Sequence, residues 1–375
     1  MTNDVVLGSG NGDEGKGRIV HYMSKDYEWV IRSSGGNNCG HTIYCDGKKY
    51  VHHLVPSIDF RRPNIKGFLS SGMVIDLDAL HQELLDLEKD FPGVSSRIYV
   101  DPDAFTVLDK HRNGDIENVK RIGSTNKGVG PAYVDKMNRC GVKISEMIEK
   151  NHESILALQN LGVNFKYVLE LKNDFLRSNC LFEGSQGIML DLNHGTYPYV
   201  SCGDATVASI YSSGFAFIKL NRVYGVAKCY STKVGEGPFP TEIFGKEAEK
   251  LRERGREYGS TTGRPRRIGW LDLPALKYAC IKGGITHLII TKFDVLDGME
   301  KVPLAVSYGK DVVSAKDFFD AKPIYSYMNG WKQSKTKIVE VIEIKNFLDT
   351  IQNIVGVPIS YISYGTSEED ICKIQ

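Results

Sequence analysis

The strongest constraint in this chain is a repeated pattern: a short apolar run, rich in β-branched residues, that breaks into a glycine-rich turn. Val5-Val6-Leu7 runs into Gly8, Trp29-Val30-Ile31 into Gly35-Gly36, Cys180-Leu181-Phe182 into Gly184, and Leu288-Ile289-Ile290 stops before Lys292. Runs without polar alternation read as strands buried on both faces, which is how parallel sheets are built. Helical segments lie between them. From Asp76 to Asp90 the residues Leu77, Leu80, Leu84 and Leu87 share one face behind an acidic first turn. A last helix is expected over Lys337 to Val355, stopped by Gly356 with Pro358 beyond, followed by a strand over Ile359 to Ile362 before Gly365. Alternation of strand, loop and helix means an α/β architecture, with ligands in the crevice outside the carboxyl ends of the strands.

Charge and cysteine usage narrow the function classes. With 47 basic and 46 acidic residues the formal charge is +1, so no global field draws the chain to nucleic acid or an anionic membrane. No apolar stretch approaches the ~18 residues of a membrane span. The start, Met1-Thr2-Asn3-Asp4, runs into a strand without a basic leader region. The eight cysteines form no C-x-x-C pair and no zinc-spaced cluster with histidine, as expected of reduced thiols in a cytoplasmic protein. Any phosphate binding must therefore be local.

Gly10-Asn11-Gly12-Asp13-Glu14-Gly15-Lys16-Gly17 follows the first strand with the G-x-x-x-x-G-K spacing whose backbone N–H groups and lysine cradle nucleotide phosphates. The hydroxyl that normally follows the lysine and holds magnesium is replaced by Gly17, leaving Asp13 as the loop's obvious hard-metal ligand. The fold expected is thus a large, mostly parallel central sheet of P-loop-like type with helices on both faces. We expect a single domain over 1–375, with irregular insertions around 100–170 and 230–270.

Thr291-Lys292-Phe293-Asp294 closes another apolar strand. An aspartate there can accept from both N1–H and the 2-amino group of guanine, whereas adenine presents an acceptor; Lys292 would lay its stem along the base. In Gly35-Gly36-Asn37-Asn38-Cys39-Gly40-His41-Thr42, His41 is placed to protonate or stabilise a transferring phosphoryl group. The run 259–267 packs Ser260, Thr261, Thr262, Gly263, Arg264 and Arg266 together, forks and hydroxyls suited to carboxylates or phosphate. Thr125, in the loop 123–131, and Ser201, in Asp191 to Ser201, are phosphate donors, and Gln186 of Glu183-Gly184-Ser185-Gln186-Gly187 can donate to a base carbonyl. His194 and the tyrosines near it are expected to pack.

With GDEGKG, NNCGHT, GSTNKGVGPAY, EGSQG, DLNHGTYPYVS, VGEGPFPTE, YGSTTGRPRRIGWLD and TKFDVLDG in that order, the chain resembles the adenylosuccinate synthetases from Val5 to about Gly365. The resemblance implies a GTP-dependent ligase that joins IMP to L-aspartate through a 6-phosphoryl intermediate, the first committed step from IMP to AMP. It implies Asp13, His41 and Gln186 as catalytic residues, with Asp13 taking the N1 proton and His41 assisting phosphoryl transfer. Asp13 and the Gly40 carbonyl would ligate one Mg2+ per subunit. IMP would meet Asp13, Lys16, Asn38, His41, Thr125, Gln186, Ser201 and Arg264, with Arg139 reaching in from the other subunit of a homodimer. GTP would meet Gly12, Glu14, Gly15, Lys16, Gly17, Gly40, Thr42, Arg266, Lys292, Asp294, Ser363 and Gly365. Aspartate would meet the loop 260–264 and Arg266. Two other functions share parts of this pattern. A phage branch of the family acts on deoxyguanylate, but carries a small residue at the position of Asp13. A GTPase-type switch has a phosphate loop and K-x-D pair, but no use for His41 or the arginine-rich loop.

Overall fold

The structure, a computed structural model, describes residues 1–115, 125–259, 263–332 and 340–374. Ten strands form its central sheet: β1 (Asn3–Gly8), β2 (Trp29–Arg32), β3 (Lys66–Leu69), β4 (Ile98–Val100), β5 (Asn164–Phe165), β6 (Cys180–Gly187), β7 (Val223–Lys228), β8 (His287–Thr291), β9 (Ile359–Ser363) and β10 (Ile371–Lys373). Their spatial order is β10-β9-β8-β7-β1-β6-β2-β3-β4-β5. Every neighbouring pair is parallel except β9 and β10. The chain leaves β1 toward β2 on one side, and the later strands β7, β8 and β9 lie on the other. The order therefore reverses beside β1, where an open sheet offers its ligand crevice.

Alternation along the strands sorts side chains onto two faces. Val5, Leu7, Trp29, Ile31 and Phe182 join the core that includes Leu273 and Leu276 of one helix and Phe347 and Ile351 of another. Val6, Val30, Leu181 and Ile289 join the opposite core, with Ile19 and Val20. The helices among the described residues include α1 (Lys16–Met23), α2 (Leu77–Glu88), α3 (Val129–Met137), α4 (Gly245–Gly255), α5 (Leu273–Gly283) and α6 (Ile342–Val355). In α2 the leucine face is wholly inside, and Asp76 caps the first turn by accepting from Ala79 N–H at 3.1 Å. Each such leucine stabilises the layer by about 2 kcal/mol.

Two stretches expected to be irregular carry order. The 100–170 stretch contains α3 and two further helices, Ile144–Glu149 and Glu153–Asn160, and also supplies edge strand β5. The 230–270 stretch contributes strands Tyr230–Lys233, Glu242–Ile243 and Arg267–Asp272 to a second, five-stranded sheet with Lys301–Ser307 and Ile324–Asn329. Tyr230–Lys233 and Glu242–Ile243 pair with Arg267–Asp272, which in turn pairs with the distant Lys301–Ser307, and the Glu242–Ile243 strand has only two residues, so local periodicity does not reveal them. Among the described residues no helix is long and apolar enough to cross a membrane.

Candidate functional site

The phosphate loop leaves the carboxyl end of central strand β1 and feeds α1. Glu14 folds back into the loop: its Oε1 accepts from Gly10 N–H at 3.0 Å and Gly12 N–H at 2.8 Å. Its Oε2 takes the Lys16 ammonium at 2.8 Å, with both side chains almost wholly buried. Burial opposes both charges, yet the pair keeps each ionised: Glu14 is shifted below its usual range and Lys16 above its own. The glycine in place of the usual hydroxyl residue has a steric reason. A Cβ on Gly17 would sit 2.7 Å from His41 Cβ and 3.1 Å from Ser57 Oγ. His41 thus fills the space that a serine or threonine side chain would need.

His41 opens the strand His41–Cys45, which pairs with Lys48–His52. Its Nδ1 lies 2.5 Å from Oε1 of Glu183, a fully buried carboxylate in the middle of β6. Ser57 donates to Glu183 twice, Oγ–H at 2.6 Å and N–H at 2.9 Å. His52 Nε2 in turn reaches Ser57 Oγ at 3.0 Å. Burial alone would lower the His41 pKa, but the Glu183 charge together with the hydrogen bonds of Cys39 and Glu183 raises it; Glu183 is correspondingly drawn down to about 2 despite its burial. His52, whose burial outweighs the pull of nearby Glu183 and Glu83, falls to about 3 and is neutral. The outer nitrogen of His41, Nε2, is buried and has no hydrogen-bond partner. An imidazole oriented by a carboxylate on one nitrogen and unengaged on the other is the arrangement of a proton donor aimed at a substrate.

Gln186 and Asn38 lie on segments tied to the phosphate loop and to β6. Gly187 packs so tightly on the phosphate loop that a Cβ there would stand 2.1 Å from the Gly10 carbonyl oxygen, which sets Gln186 beside the loop. Cys39 meets the Ser185 carbonyl, tying the 35–42 loop to the end of β6, and Asn38 Oδ1 is buried without a partner.

On the other side of β1 a chain of charges runs from the phosphate loop into the second sheet. Asp13 pairs with Arg266 at 2.8 Å, Arg266 with Glu257 at 2.5 Å, and Glu257 with Lys228 at 2.9 Å and the Tyr230 hydroxyl at 2.5 Å. Burial opposes the Glu257 charge, but Lys228 and Arg266 hold its carboxyl down at about 2. Further along, Asp294 follows β8 with Oδ1 buried and unpartnered, and burial raises its pKa despite Lys292. Lys292 is backbone-strained at φ 71° and points its ammonium to the Gly255 carbonyl at 2.8 Å. Ser363 and Gly365, at the end of β9, are joined to this region by Arg18 of α1, which donates to Ser363 Oγ at 2.6 Å and to the Gly365 carbonyl.

The remaining sequence candidates are more peripheral. Gly12, Gly15 and Gly40 lie in the loops just described, and Thr42 in the strand His41–Cys45. Thr125 is exposed, Ser201 is half-buried with its N–H on the Leu190 carbonyl at 2.8 Å, and Gly263 and Arg264 are exposed. Ser260, Thr261 and Thr262 lie outside the described residues. Arg139 stands exposed after α3 at φ 64°, with no side-chain partner among the described residues. Tyr197, expected to pack, is 70% exposed. Glu183, Arg18 and Glu257 were not singled out from the sequence. Glu183 opens the EGSQG motif and Arg18 follows the GKG of the phosphate loop, so their positions were the available signal, whereas Glu257 had none.

Three kinds of comparison bear on this cleft. The family model described as adenylosuccinate synthetase matches residues 5–161 and 157–372. The chain is 46% identical over 412 residues to the adenylosuccinate synthetase of Petrotoga mobilis, covering 98% of this chain and 96% of that one. Its fold matches the fully ligated adenylosuccinate synthetase of Plasmodium falciparum with a TM-score of 0.88 at 31% identity, over 99% of both chains. It also matches the succinoaminodeoxyadenylate synthetase of cyanophage S-2L, bound to dGMP and dATP, with a TM-score of 0.73 at 21% identity, over 99% of this chain and 95% of that one; at that identity the likeness is one of fold alone.

Proposed function

The chain belongs to the adenylosuccinate synthetase family, and from that premise we propose how its cleft joins IMP to L-aspartate at the expense of GTP. One observation carries the assignment of roles. Around the phosphate loop, Asn38 Oδ1, His41 Nε2 and Asp294 Oδ1 are each buried with no hydrogen-bond partner. Leaving such an atom unmade costs about 1–3 kcal/mol, so each is a place prepared for a ligand. Asn38 and His41 lie on the β2 and β6 side of the loop and Asp294 on the β8 side, which suits an acceptor nucleotide on one flank and guanine on the other.

Asp13 takes the N1 proton of IMP, and O6 then attacks the γ-phosphorus of GTP, releasing GDP. His41, protonated and held by Glu183, donates from Nε2 to the phosphoryl group as charge builds on it. The aspartate amine adds at C6, phosphate departs with the C6–O bond, and the nitrogen loses a proton. Phosphate is a far better leaving group than the hydroxide it replaces. Gln186 donates to the base, while Thr125, Ser201 and Arg139 hold the 5′-phosphate, Arg139 in trans within a homodimer. The loop 260–264 and Arg266 bind aspartate, Arg264 also touching the ribose and Arg266 GTP; Arg266 leaves Asp13 as the substrates enter. Glu14 yields the amides of Gly10 and Gly12 to phosphate oxygens, with Gly15, Lys16, Gly17, Gly40 and Thr42 completing that wall. Asp294 reads guanine along the Lys292 stem, with Ser363 and Gly365 closing the pocket.

The Asp13 carboxylate and the Gly40 carbonyl are hard oxygen donors that fit Mg2+, one per subunit, where Gly17 offers none. An ion held by these two residues would supply positive charge to offset that on the GTP phosphate oxygens. We place the enzyme in the cytoplasm, where its eight free cysteines stay reduced. The deciding assay follows product absorbance with IMP, GMP or dGMP as acceptor, GTP or ATP as donor, and aspartate present or absent. Turnover requiring IMP, GTP and aspartate together supports this reading. Turnover with dGMP moves the chain to the deoxyguanylate branch, and phosphate release from GTP alone at a comparable rate makes it a GTPase.

A further inference from the structure

Away from the cleft, beneath the β9 end of the sheet, three side chains of metal-ligating type come together. A ring nitrogen of His21, the Cys45 sulfur and a carboxylate oxygen of Asp59 all lie within 4.8 Å of one another. All three residues are at least 95% buried. We propose that they form a second cation site, distinct from the one at Asp13, that takes a Zn2+-type divalent ion with Glu368 as its fourth ligand.

The state of His21 supports this assignment independently of the clustering. Its Nδ1 faces the Ile58 carbonyl at 2.9 Å. A carbonyl oxygen only accepts, so Nδ1 carries the proton and the lone pair belongs to Nε2. That nitrogen is buried, makes no hydrogen bond, and lies 3.5 Å from Glu368 Oε1. A histidine whose inner nitrogen is fixed by a backbone carbonyl and whose outer nitrogen is unengaged is oriented as metal-bound histidines are. Arg61 brings the acidic partners together: its guanidinium meets Asp59 at 2.8 Å and also binds Glu368. Its side chain is 34% exposed, so it can swing to solvent as a cation replaces its charge between the two carboxylates. Binding releases the Cys45 thiol proton to solvent, giving one imidazole, one thiolate and two carboxylates. Imidazole and thiolate select zinc over the magnesium favoured by the all-oxygen set at Asp13.

The site would staple four ligand-binding segments. His21 is on α1, which begins at Lys16, and Cys45 ends the strand that begins at His41. Asp59 lies two residues beyond Ser57, which holds Glu183, and Glu368 follows the Ser363–Gly365 turn.

The test uses the whole protein stripped of metal and held in saturating Mg2+ to occupy oxygen-only sites. Equilibrium dialysis against Zn2+ is expected to give one ion per chain and a higher Tm, and Co2+ to give a thiolate-to-cobalt charge-transfer band. Cys45→Ser should abolish the band, and His21→Gln, which keeps the thiol, should weaken zinc binding by ~100-fold. Cys140→Ser, at an exposed cysteine, should change neither. The proposal is overturned if the wild type binds no zinc, if the cobalt band survives Cys45→Ser, or if it disappears with Cys140→Ser.

Discussion

Replacing Glu183 by glutamine preserves shape and a hydrogen-bond acceptor for His41 Nδ1 while removing the charge behind the ring. Glu183 is wholly buried and its Oε1 is 2.5 Å from that nitrogen. With charge centres ~4 Å apart in a partly screened interior, the interaction is about 4 kcal/mol. If between half and all of it is present in the transition state, kcat falls about 30- to 1000-fold at saturating substrates. KM for IMP and GTP should change far less, because Glu183 touches neither. The pH profile gives the sharper readout. Glu183 raises the His41 pKa against burial, so activity dependent on protonated His41 declines as pH rises through that raised value. In the variant the lowering effect of burial is opposed only by the Cys39 hydrogen bond, and the limb moves to lower pH. A kcat within about threefold of wild type with an unmoved alkaline limb would refute the positioning role. The same pair bears on stability from two sides. The raised His41 pKa contributes stability that is fully present below about 6.5 and lost as pH rises through the folded value. The depressed Glu183 pKa contributes stability present above about 4.3. That contribution is lost as pH falls through about 2, and Glu183→Gln should flatten both dependences in urea titrations.

Gly17→Ser should cost about 1–3 kcal/mol in urea unfolding and lower kcat, because its Cβ must displace His41; full stability and activity would show that the ring yields freely. Asp294→Asn should weaken GTP more than IMP and narrow a GTP-over-ATP preference on the order of 10⁴, measured as kcat/KM; an unchanged preference would place base reading elsewhere. Asp13→Asn and Arg139→Ala should each be inactive alone, yet regain activity when mixed and allowed to exchange subunits, since one of the two sites in a mixed dimer then has both residues. Mixtures as inactive as their components would remove Arg139 from the partner's site.

The strands at Val5, Trp29, Cys180 and Leu288 were legible because each is long enough and apolar enough to announce a doubly buried parallel strand. The last helix and final strand were legible from Gly356 and Pro358, with Ile342–Val355 and Ile359–Ser363 observed. The antiparallel edge Ile371–Lys373 and the short strands at 230–243 were not, since their apolar content is small; the edge is ordered by pairing with Ile359–Ser363, and the short strands by pairing with Arg267–Trp270. Among site residues, those in glycine-rich loops after strands were visible because that context restricts what they can do.

The sequence by itself determined the chemistry on offer: a phosphate loop lacking its hydroxyl, a histidine among glycines, an aspartate after a strand, and the order of motifs that names the family. Only the tertiary structure decided how those groups are held. It placed Glu183 behind His41 across 142 residues of chain, ran Asp13 through Arg266 to Glu257, and gathered His21, Cys45 and Asp59 in one buried cluster. Local propensity reflects neighbours a few residues away, whereas a buried charge must find its partner wherever the sheet order brings one, and that order is set by packing the whole chain at once.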